Sequence, residues 1–284
     1  MAVILGVLVA AGFGTGDFLG GRASRDAPAI GVLFVGQVTA LVLAVVAAVV
    51  VHGHADGRSL AFGAVAGVFN AFGLAMLYRG LATGRMGVVA PVTAIIAAVI
   101  PVGWGLATGE RPATVVLVGV VVAIAAGAIV GREPDFPDEA PTADARTALW
   151  LAIAGGSAFG VSFICLSETR PGSGFWPVLT ERVAAVVVTA TLVAVATRRV
   201  RRSVLPRDHP LPLAVAAGVL DVASTLLLLL AVRRGLLSVV APLAALAPAA
   251  TVIWAWTLLK EPVTRIQLVG LAASLVGLAL IALG

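Results

Sequence analysis

Long apolar stretches recur along the whole chain, and short segments carrying most of the charged residues separate them. A bilayer core about 30 Å thick needs roughly 20 apolar residues per helix, and ten stretches approach that length. They lie at residues 2–20, 28–51, 60–78, 86–108, 113–130, 148–166, 175–197, 211–232, 239–259 and 266–280. The pattern predicts an all-α, polytopic membrane protein with ten transmembrane helices and no sizeable soluble domain.

The composition supports this prediction and restricts the partners. Of 284 residues, 60% are hydrophobic and 12% are charged, against about 25% charged in an ordinary soluble domain. The net charge of +5 comes from arginines in short loops, where they meet lipid headgroups rather than nucleic acid. The single cysteine, Cys165, lies inside an apolar stretch, which argues against disulfides and cysteine metal sites within one chain. We expect a multi-pass protein of the inner cell membrane, as a monomer or homodimer, with a small-molecule substrate and no cofactor or metal.

Basic residues are unevenly distributed between the two sets of loops. The loops after the first, third, fifth, seventh and ninth spans hold thirteen lysines and arginines, and the alternate loops hold five. Because basic loops resist translocation, this count predicts that both termini lie outside the cytoplasm.

The two halves of the chain repeat one another. An offset of 151 residues matches glycines, prolines and glutamates of the first half with those of the second: Gly67 with Gly218, Gly84 with Gly235, Pro91 with Pro242, Glu110 with Glu261, and Gly119 with Gly270. We predict a first unit at 1–131, a connecting loop at 132–147 and a second unit at 148–284. Five spans per unit is an odd number, so the second unit enters the membrane inverted relative to the first, an architecture that serves alternating access. A duplicated scaffold without a transport role is the alternative.

The ends of both halves also resemble a known family. The motif runs from Tyr78 to Pro91 and continues through Gly109, Glu110, Arg111, Pro112 and Gly119; its second copy runs from Ala241 and Pro242 through Lys260, Glu261 and Pro262 to Gly270. This pattern resembles the EamA repeat of the drug/metabolite transporter superfamily. The resemblance implies ten helices around a central cavity that carries small metabolites or drugs, often outward. It also implies cytoplasmic termini, against the loop count, and the orientation stays open. Phe13 and Phe159 stand where the family often has tryptophan, which leaves the substrate open.

Ionisable residues inside the spans are the first candidates for function, because each costs about 2.5–3.5 kcal/mol at the bilayer centre. Asp17, late in the first span, is either a binder of protons or cationic substrates or an interfacial carboxylate near its own loop. Glu181 and Arg182 are adjacent in the seventh span, so their side chains point about 100° apart and serve different partners. Arg182 either binds a carboxylate or phosphate of the substrate or forms a structural ion pair. Glu181, like Asp17, is a candidate coupling residue.

Further candidates follow from the repeat. Asp221 matches Asn70 at the offset of 151, so both are predicted to face one cavity, and Asp221 is predicted to pair with Arg182. Gln37 lies in the first-half region that corresponds to Arg182. Trp254 either stacks on a ligand or packs. Pro91 and Pro242 are hinge candidates because proline removes a helical hydrogen bond; near the start of a helix proline is also simply tolerated.

The prediction from sequence is therefore a secondary transporter that exports a small metabolite or drug-like molecule, coupled to protons or to exchange. A glycine- and lysine-containing phosphate-binding loop is absent, which argues against ATP hydrolysis by this chain. The alternatives are a solute uptake permease and a non-transporting polytopic protein, either an enzyme or an assembly partner. We expect no enzyme, because His52, His54 and His209 all lie in loops rather than in a cluster at the end of a span.

Overall fold

A computed structural model describes residues 1–82, 86–130, 144–200, 204–259 and 265–283, and within these ranges it is helical, without strands. A single 3₁₀ turn, Pro171–Ser173, lies between the sixth and seventh helices. The α-helices are α1 (Ala2–Asp26), α2 (Ala29–Val50), α3 (Gly57–Ala82), α4 (Met86–Ala107), α5 (Thr114–Val130), α6 (Asp144–Ser167), α7 (Trp176–Val200), α8 (Pro210–Val232), α9 (Leu237–Ala244), α10 (Ala247–Leu259) and α11 (Arg265–Leu283).

Every predicted span coincides with a helix, except that the ninth is divided into α9 and α10. Several helices extend beyond their apolar part; α1, for example, continues to Asp26, because backbone hydrogen bonding does not stop where the hydrocarbon does. Within the described residues, seven helical segments are long and apolar enough to cross a membrane, counting α9 with α10 as one. Three apolar helices are shorter, at Val92–Ala107, Thr114–Ala126 and Leu268–Ile281. The chain is a multi-pass membrane protein, and the count of ten spans stays a prediction.

One predicted boundary needs correction. The connecting loop was predicted at 132–147, but α6 already begins at Asp144. Its first residues are polar, so a pattern that marks only apolar runs places the helix start too late. The rest of the predicted loop lies outside the described residues.

The break between α9 and α10 has a local cause. Pro248 lies in the first turn of α10, and a proline cannot donate a hydrogen bond to the carbonyl four residues earlier, which here belongs to Ala244, the last residue of α9. Pro242 lies inside α9 without ending it, and α4 continues through Pro91. Pro248 therefore causes the interruption, rather than either of the predicted hinge prolines. The hinge role of Pro91 and Pro242 stays a prediction.

The most extensive helix contacts join the two halves of the chain. Helix α1 packs against α8 and α10, α3 against α6 and α7, α4 against α6 and α9, α2 against α7 and α8, and α5 against α11. Large apolar side chains such as Val46, Val121 and Leu275 point outward and are mostly exposed, as expected for a surface in contact with lipid. Each half therefore completes its packing only with the other.

Glycines set the closest approaches at this junction. A Cβ atom on Gly218 of α8 would lie 2.8 Å from the Cα atom of Gly36 in α2, so the two backbones touch. A Cβ atom on Gly67 of α3 would lie 2.7 Å from the carbonyl carbon of Glu181 in α7. Polar residues lie next to both crossings, and the close packing brings them together.

Candidate functional site

Polar side chains from four helices meet where the halves pack together. Gln37 of α2, Asn70 of α3, and Glu181 and Arg182 of α7 are only 2%, 8%, 0% and 0% exposed. Asp221 of α8 completes the group and keeps 19% of its side chain exposed. We call these five residues the polar network. Burying charged groups is costly unless each is paired and hydrogen-bonded, so the partners of each member decide its role.

Arg182 has partners on three sides. Its Nη1 atom lies 2.5 Å from Oδ2 of Asp221 and donates to Oε1 of Gln37 at 3.1 Å. Its Nη2 atom donates to the hydroxyl of Thr225 and lies 3.5 Å from Oε1 of Glu181. The predicted pair of Arg182 and Asp221 is therefore confirmed, and both terminal amino groups of the guanidinium are engaged within the protein.

Glu181 has a different principal partner, as its position on the helix predicts. Its Oε1 atom accepts a hydrogen bond from Nδ2 of Asn70 at 2.7 Å. Its Oε2 atom and the Nε atom of Arg182 are buried and have no hydrogen-bond partner among the described residues. The network is thus dense around Arg182 and incompletely satisfied around Glu181, a feature more typical of functional sites than of structural cores.

Two residues of the site were not predicted from sequence. Thr225 lies one helical turn after Asp221 on α8, donates to its carbonyl at 2.9 Å and accepts from Arg182. A search for polar residues four positions from a candidate carboxylate would have found it. Tyr78, the only tyrosine in the sequence, lay inside the family motif but carried no predicted role; it lines the cavity described next.

A small cavity lies beside the polar network, between α1, α2, α3 and α8. Its walls combine two carboxylates and an amide with aromatic and aliphatic side chains and glycines: Phe13, Gly16, Asp17, Val32, Leu33, Gly36, Gln37, Leu74, Tyr78, Ala217, Gly218 and Asp221. Its volume is about 20 Å³, which is room for about one water molecule. A substrate larger than water therefore requires the walls to separate.

The predicted site residues divide between this cavity and its surroundings. Asp17, Gln37 and Asp221 line it, whereas Asn70, Glu181 and Arg182 lie behind its wall in the network. Trp254 lies on α10 and does not line the cavity, and its indole N–H donates to the hydroxyl of Thr15 at 2.7 Å. Its contact with a substrate stays a prediction, as do the binding and coupling roles of the others. Among the described residues, no group of three His, Cys, Asp or Glu side chains is placed to hold a metal.

One face of the molecule is held together by contacts between loops of the two halves. We call residues 51–59, 104–113, 168–176 and 233–238 the closed face. Glu168 accepts from Arg58 and from the indole N–H of Trp104, each at 3.2 Å, and Arg170 lies 3.9 Å from Asp56. These contacts tie the ends of α3, α4 and α6 to one another.

The turn between α6 and α7 is the centre of the closed face. The backbone N–H of His54 donates to the carbonyl of Gly172 at 2.9 Å. Arg233, at the end of α8, donates to the carbonyl of Gly174 and to the hydroxyl of Ser173, each at 2.8 Å, and to the carbonyl of Arg170 at 3.1 Å. Burial lowers the pKa of the Arg233 guanidinium from its usual value. The α2–α3 loop and the α8–α9 loop therefore both contact the α6–α7 turn.

Asp56 is held in its ionised form on this face. Hydrogen bonds from the side chain and backbone of Ser59, with a smaller contribution from Arg170, lower the pKa of the Asp56 carboxyl below its usual value of 3.8. A lowered pKa means that the interaction is fully present at neutral pH and is lost only when the pH falls through that lower value. Contacts of Asp56 are therefore constant across the physiological pH range.

Glu110 joins the α4–α5 turn to the start of α9. Gly109, with φ of +103°, ends α4 in a left-handed turn in which Glu110 N–H donates to the carbonyl of Gly105 at 2.8 Å. The Glu110 carboxylate then accepts from the backbone N–H groups of Leu237 and Ser238, at 2.8 and 2.9 Å. A carboxylate is stabilised at the positive end of a helix, so Glu110 fixes the start of α9 against the α4–α5 turn. Glu261, its counterpart in the repeat, lies outside the described residues.

The cavity extends away from the closed face. Val32 and Leu33 lie in the first turns of α2, whose other end, at Val50, is at the closed face. Tyr78 is near the end of α3 and, at 1.5 Å per residue, about 30 Å from the closed-face end of that helix. The cavity therefore runs from the middle of the helices toward the opposite face.

Comparisons with known proteins agree with this fold. A solved protein crystal structure superposes on the chain with a TM-score of 0.75 at 14% sequence identity, covering 99% of this chain and 96% of the other; a likeness at this identity shows the fold alone. No functionally curated protein matches the sequence. A family model does match, over residues 146–283. It is the model of the EamA-like transporter family, and over these residues it confirms the resemblance seen in the sequence motifs.

Proposed function

We propose that this protein is a secondary transporter of the cell membrane that exports a small metabolite or drug-like molecule by alternating access, coupled to protons or to exchange. The match to the EamA-like transporter family over residues 146–283 and the multi-pass helical fold support transport in general. The observation that carries the proposal is the polar network, buried between two halves that share their packing. A scaffold or an assembly partner gains nothing from burying Glu181 and Arg182 in a membrane, where ionisable groups are expensive and mark substrate or ion pathways.

The proposed machinery is a pair of inverted five-helix repeats. In such a repeat, α6, α7 and α8 are the counterparts of α1, α2 and α3. The contact between α1 and α8 then corresponds to the contact between α6 and α3. In the same way, the contact between α2 and α8 corresponds to the contact between α7 and α3. Both kinds of contact are present. The glycine crossings correspond as well, since Gly67 and Gly218, which differ by 151 positions, each touch the backbone of the matching helix. This exchange of partners supports a two-fold relation between the halves.

Alternating access requires one route to be shut while another is available. The closed face blocks one side of the polar network, and the cavity extends toward the other side. On the closed face, α9 is fixed to the α4–α5 turn through Glu110 and is separated from α10 by the break before Pro248. We infer that opening this face releases the Glu110 contact and tilts α9 about residues 245–246.

The proposal is tested by flux through the purified protein in proteoliposomes. The vesicles contain a pH-sensitive dye, a pH gradient is imposed, and a panel of metabolites and drug-like compounds is added from either side. We expect at least one compound to move and to move protons with it, whereas Asp17→Asn loses the proton movement. Asp26→Asn is the matched control, because Asp26 lies on the same helix, pairs with Arg22 at the surface and does not line the cavity.

The outcomes separate the alternatives. Flux of a compound in the same direction as the protons identifies a proton-driven uptake permease, and flux in the opposite direction identifies an exporter. Flux without proton movement that requires a compound on both sides identifies exchange. Proton movement unchanged in Asp17→Asn removes Asp17 from coupling. If no compound of a broad panel moves, the transporter proposal is wrong and an assembly role gains support.

A further inference from the structure

The charges around the cavity are unbalanced, and this imbalance indicates a class of substrate. The polar network holds one cation, Arg182, and two carboxylates, Glu181 and Asp221. Asp17 on the cavity wall adds a third carboxylate. With all of them ionised, the region has a net charge of −2 inside the membrane, where an uncompensated charge is expensive.

Arg182 is not available to bind an anionic substrate. Its side chain is fully buried and lies behind the cavity wall, and its two terminal amino groups are already engaged by Asp221, Gln37 and Thr225. To bind a carboxylate or phosphate in the cavity, Arg182 would have to give up Asp221 and leave that carboxylate without its cation. Of the two roles left open by the sequence, the structural ion pair therefore accounts for the contacts of Arg182.

The carboxylates on the cavity wall, by contrast, have acceptor capacity to spare. Asp17 has no hydrogen bond or ion pair with any described residue, and only Oδ2 of Asp221 is used by Arg182 and Gln37. No lysine, arginine or histidine lines the cavity. The rings of Phe13 and Tyr78 and the side chains of Leu33 and Leu74 complete the wall, which gives the surroundings that a cation with an apolar body prefers.

We propose that this cavity is selective for small organic cations, with the carboxylates of Asp17 and Asp221 as the charge partners and Phe13 and Tyr78 as the aromatic wall. This inference rests on the proposed transport function and names the substrate class of the same site. Arg182 is a positioning residue in this scheme: it holds Asp221 beside the cavity and does not touch the substrate. Because the cavity now has room for about one water molecule, the cation enters as α1, α2, α3 and α8 separate.

Three probes with one aromatic body and different charge test the proposal: benzyltrimethylammonium, benzyl alcohol and benzoate. Binding to the purified protein is measured by calorimetry, and uptake is measured in proteoliposomes. We expect wild type to bind the cation at least about tenfold more tightly than the alcohol or the anion, because opposite charges a few ångströms apart attract strongly even at intermediate dielectric. Asp17→Asn should weaken cation binding about tenfold or more, Asp17→Glu should restore part of it, and the surface control Asp26→Asn should not change it.

The results distinguish failure of this proposal from failure of transport. If benzoate or benzyl alcohol binds as tightly as the cation, or if none of the three binds, the cation proposal is wrong, even when another compound is transported. If the cation binds in a manner dependent on Asp17 but neither it nor any compound of the panel crosses the membrane, the cation site is supported and the transport proposal fails. The ranking of the three probes on wild type needs no variant, so the test holds even if Asp17→Asn does not fold.

Discussion

Removing the guanidinium of Arg182 is the sharpest test of the polar network. Arg182→Met keeps an unbranched apolar side chain of similar reach but deletes the donors to Asp221, Gln37 and Thr225. Glu181 and Asp221 would then lie in the membrane interior without their cation. We expect the variant to be strongly destabilised rather than merely inactive.

The magnitude follows from the burial of the pair. Breaking a buried ion pair by removing one partner costs about 3–5 kcal/mol, mostly because the remaining charge is left uncompensated. For a protein of this size a loss of 1 kcal/mol lowers the melting temperature by about 2–4 °C, so Arg182→Met should melt about 6–20 °C lower. Arg58→Met is the matched control, because the Arg58 side chain is 54% exposed in its pair with Glu168 and exposed pairs contribute only about 0–1 kcal/mol.

The chain contains its own probe for this measurement. Cys165, its one cysteine, is buried in α6, so a dye that fluoresces on reaction with thiols reports unfolding of the detergent-solubilised protein during heating. No labelling site has to be introduced. Variants and wild type are compared at one heating rate and one detergent concentration.

A double variant completes the test. Adding Asp221→Asn to Arg182→Met removes one of the stranded charges and should recover part of the lost stability. The reasoning is refuted if Arg182→Met melts within about 3 °C of the Arg58→Met control, or if the double variant is less stable by the sum of the two single losses.

Three further predictions use the melting assay or the cation-binding measurement. Gly218→Ala should lower the free energy of unfolding by about 1–3 kcal/mol, because the added methyl group meets the backbone of Gly36. Its control, Gly21→Ala, should be neutral or stabilising, because a Cβ atom there would meet nothing within 4 Å. Equal melting temperatures of the two variants would contradict the close crossing. Glu110→Gln keeps an acceptor oxygen but loses the charge at the start of α9 and should cost about 1–2 kcal/mol, so an unchanged melting temperature would exclude this cap. Trp254→Phe should leave cation binding unchanged because Trp254 lies outside the cavity, and a loss of affinity would place the ligand elsewhere.

The sequence predicted the fold well because the lipid environment makes the pattern strong. Apolar runs of membrane length must form helices in lipid to satisfy their backbone groups, so each predicted span corresponds to helical structure. Polar helix ends were missed, as at Asp144, since their composition resembles that of loops. The hinge candidates, Pro91 and Pro242, were chosen by symmetry, whereas the residue that removes the hydrogen bond at the break in the ninth span is Pro248. Symmetry showed where prolines recur but not which backbone carbonyl each one leaves unpaired.

The candidate site was predicted in part. The rarity of ionisable residues in the spans identified Asp17, Glu181, Arg182 and Asp221, and the geometry of adjacent helical positions predicted that Glu181 and Arg182 have different partners. Side chains that contribute hydroxyl groups, such as Thr225, are too common in the spans to be chosen by residue type alone, and only the spacing of Thr225 from Asp221 distinguishes it. Whether Arg182 faces a substrate or another residue also depended on the packing of α7 against α2 and α8.

The exchange of helices between the halves has a consequence for how the chain can be divided. A fragment containing only α6 to α11 would keep Glu181 and Arg182 but lose Asn70 and Gln37, and α7 would present a carboxylate and a guanidinium to hydrocarbon. The fragment of α6 to α11 and the complementary fragment of α1 to α5 are thus not autonomous folding units. The two fragments should become stable only when they are produced together in one membrane.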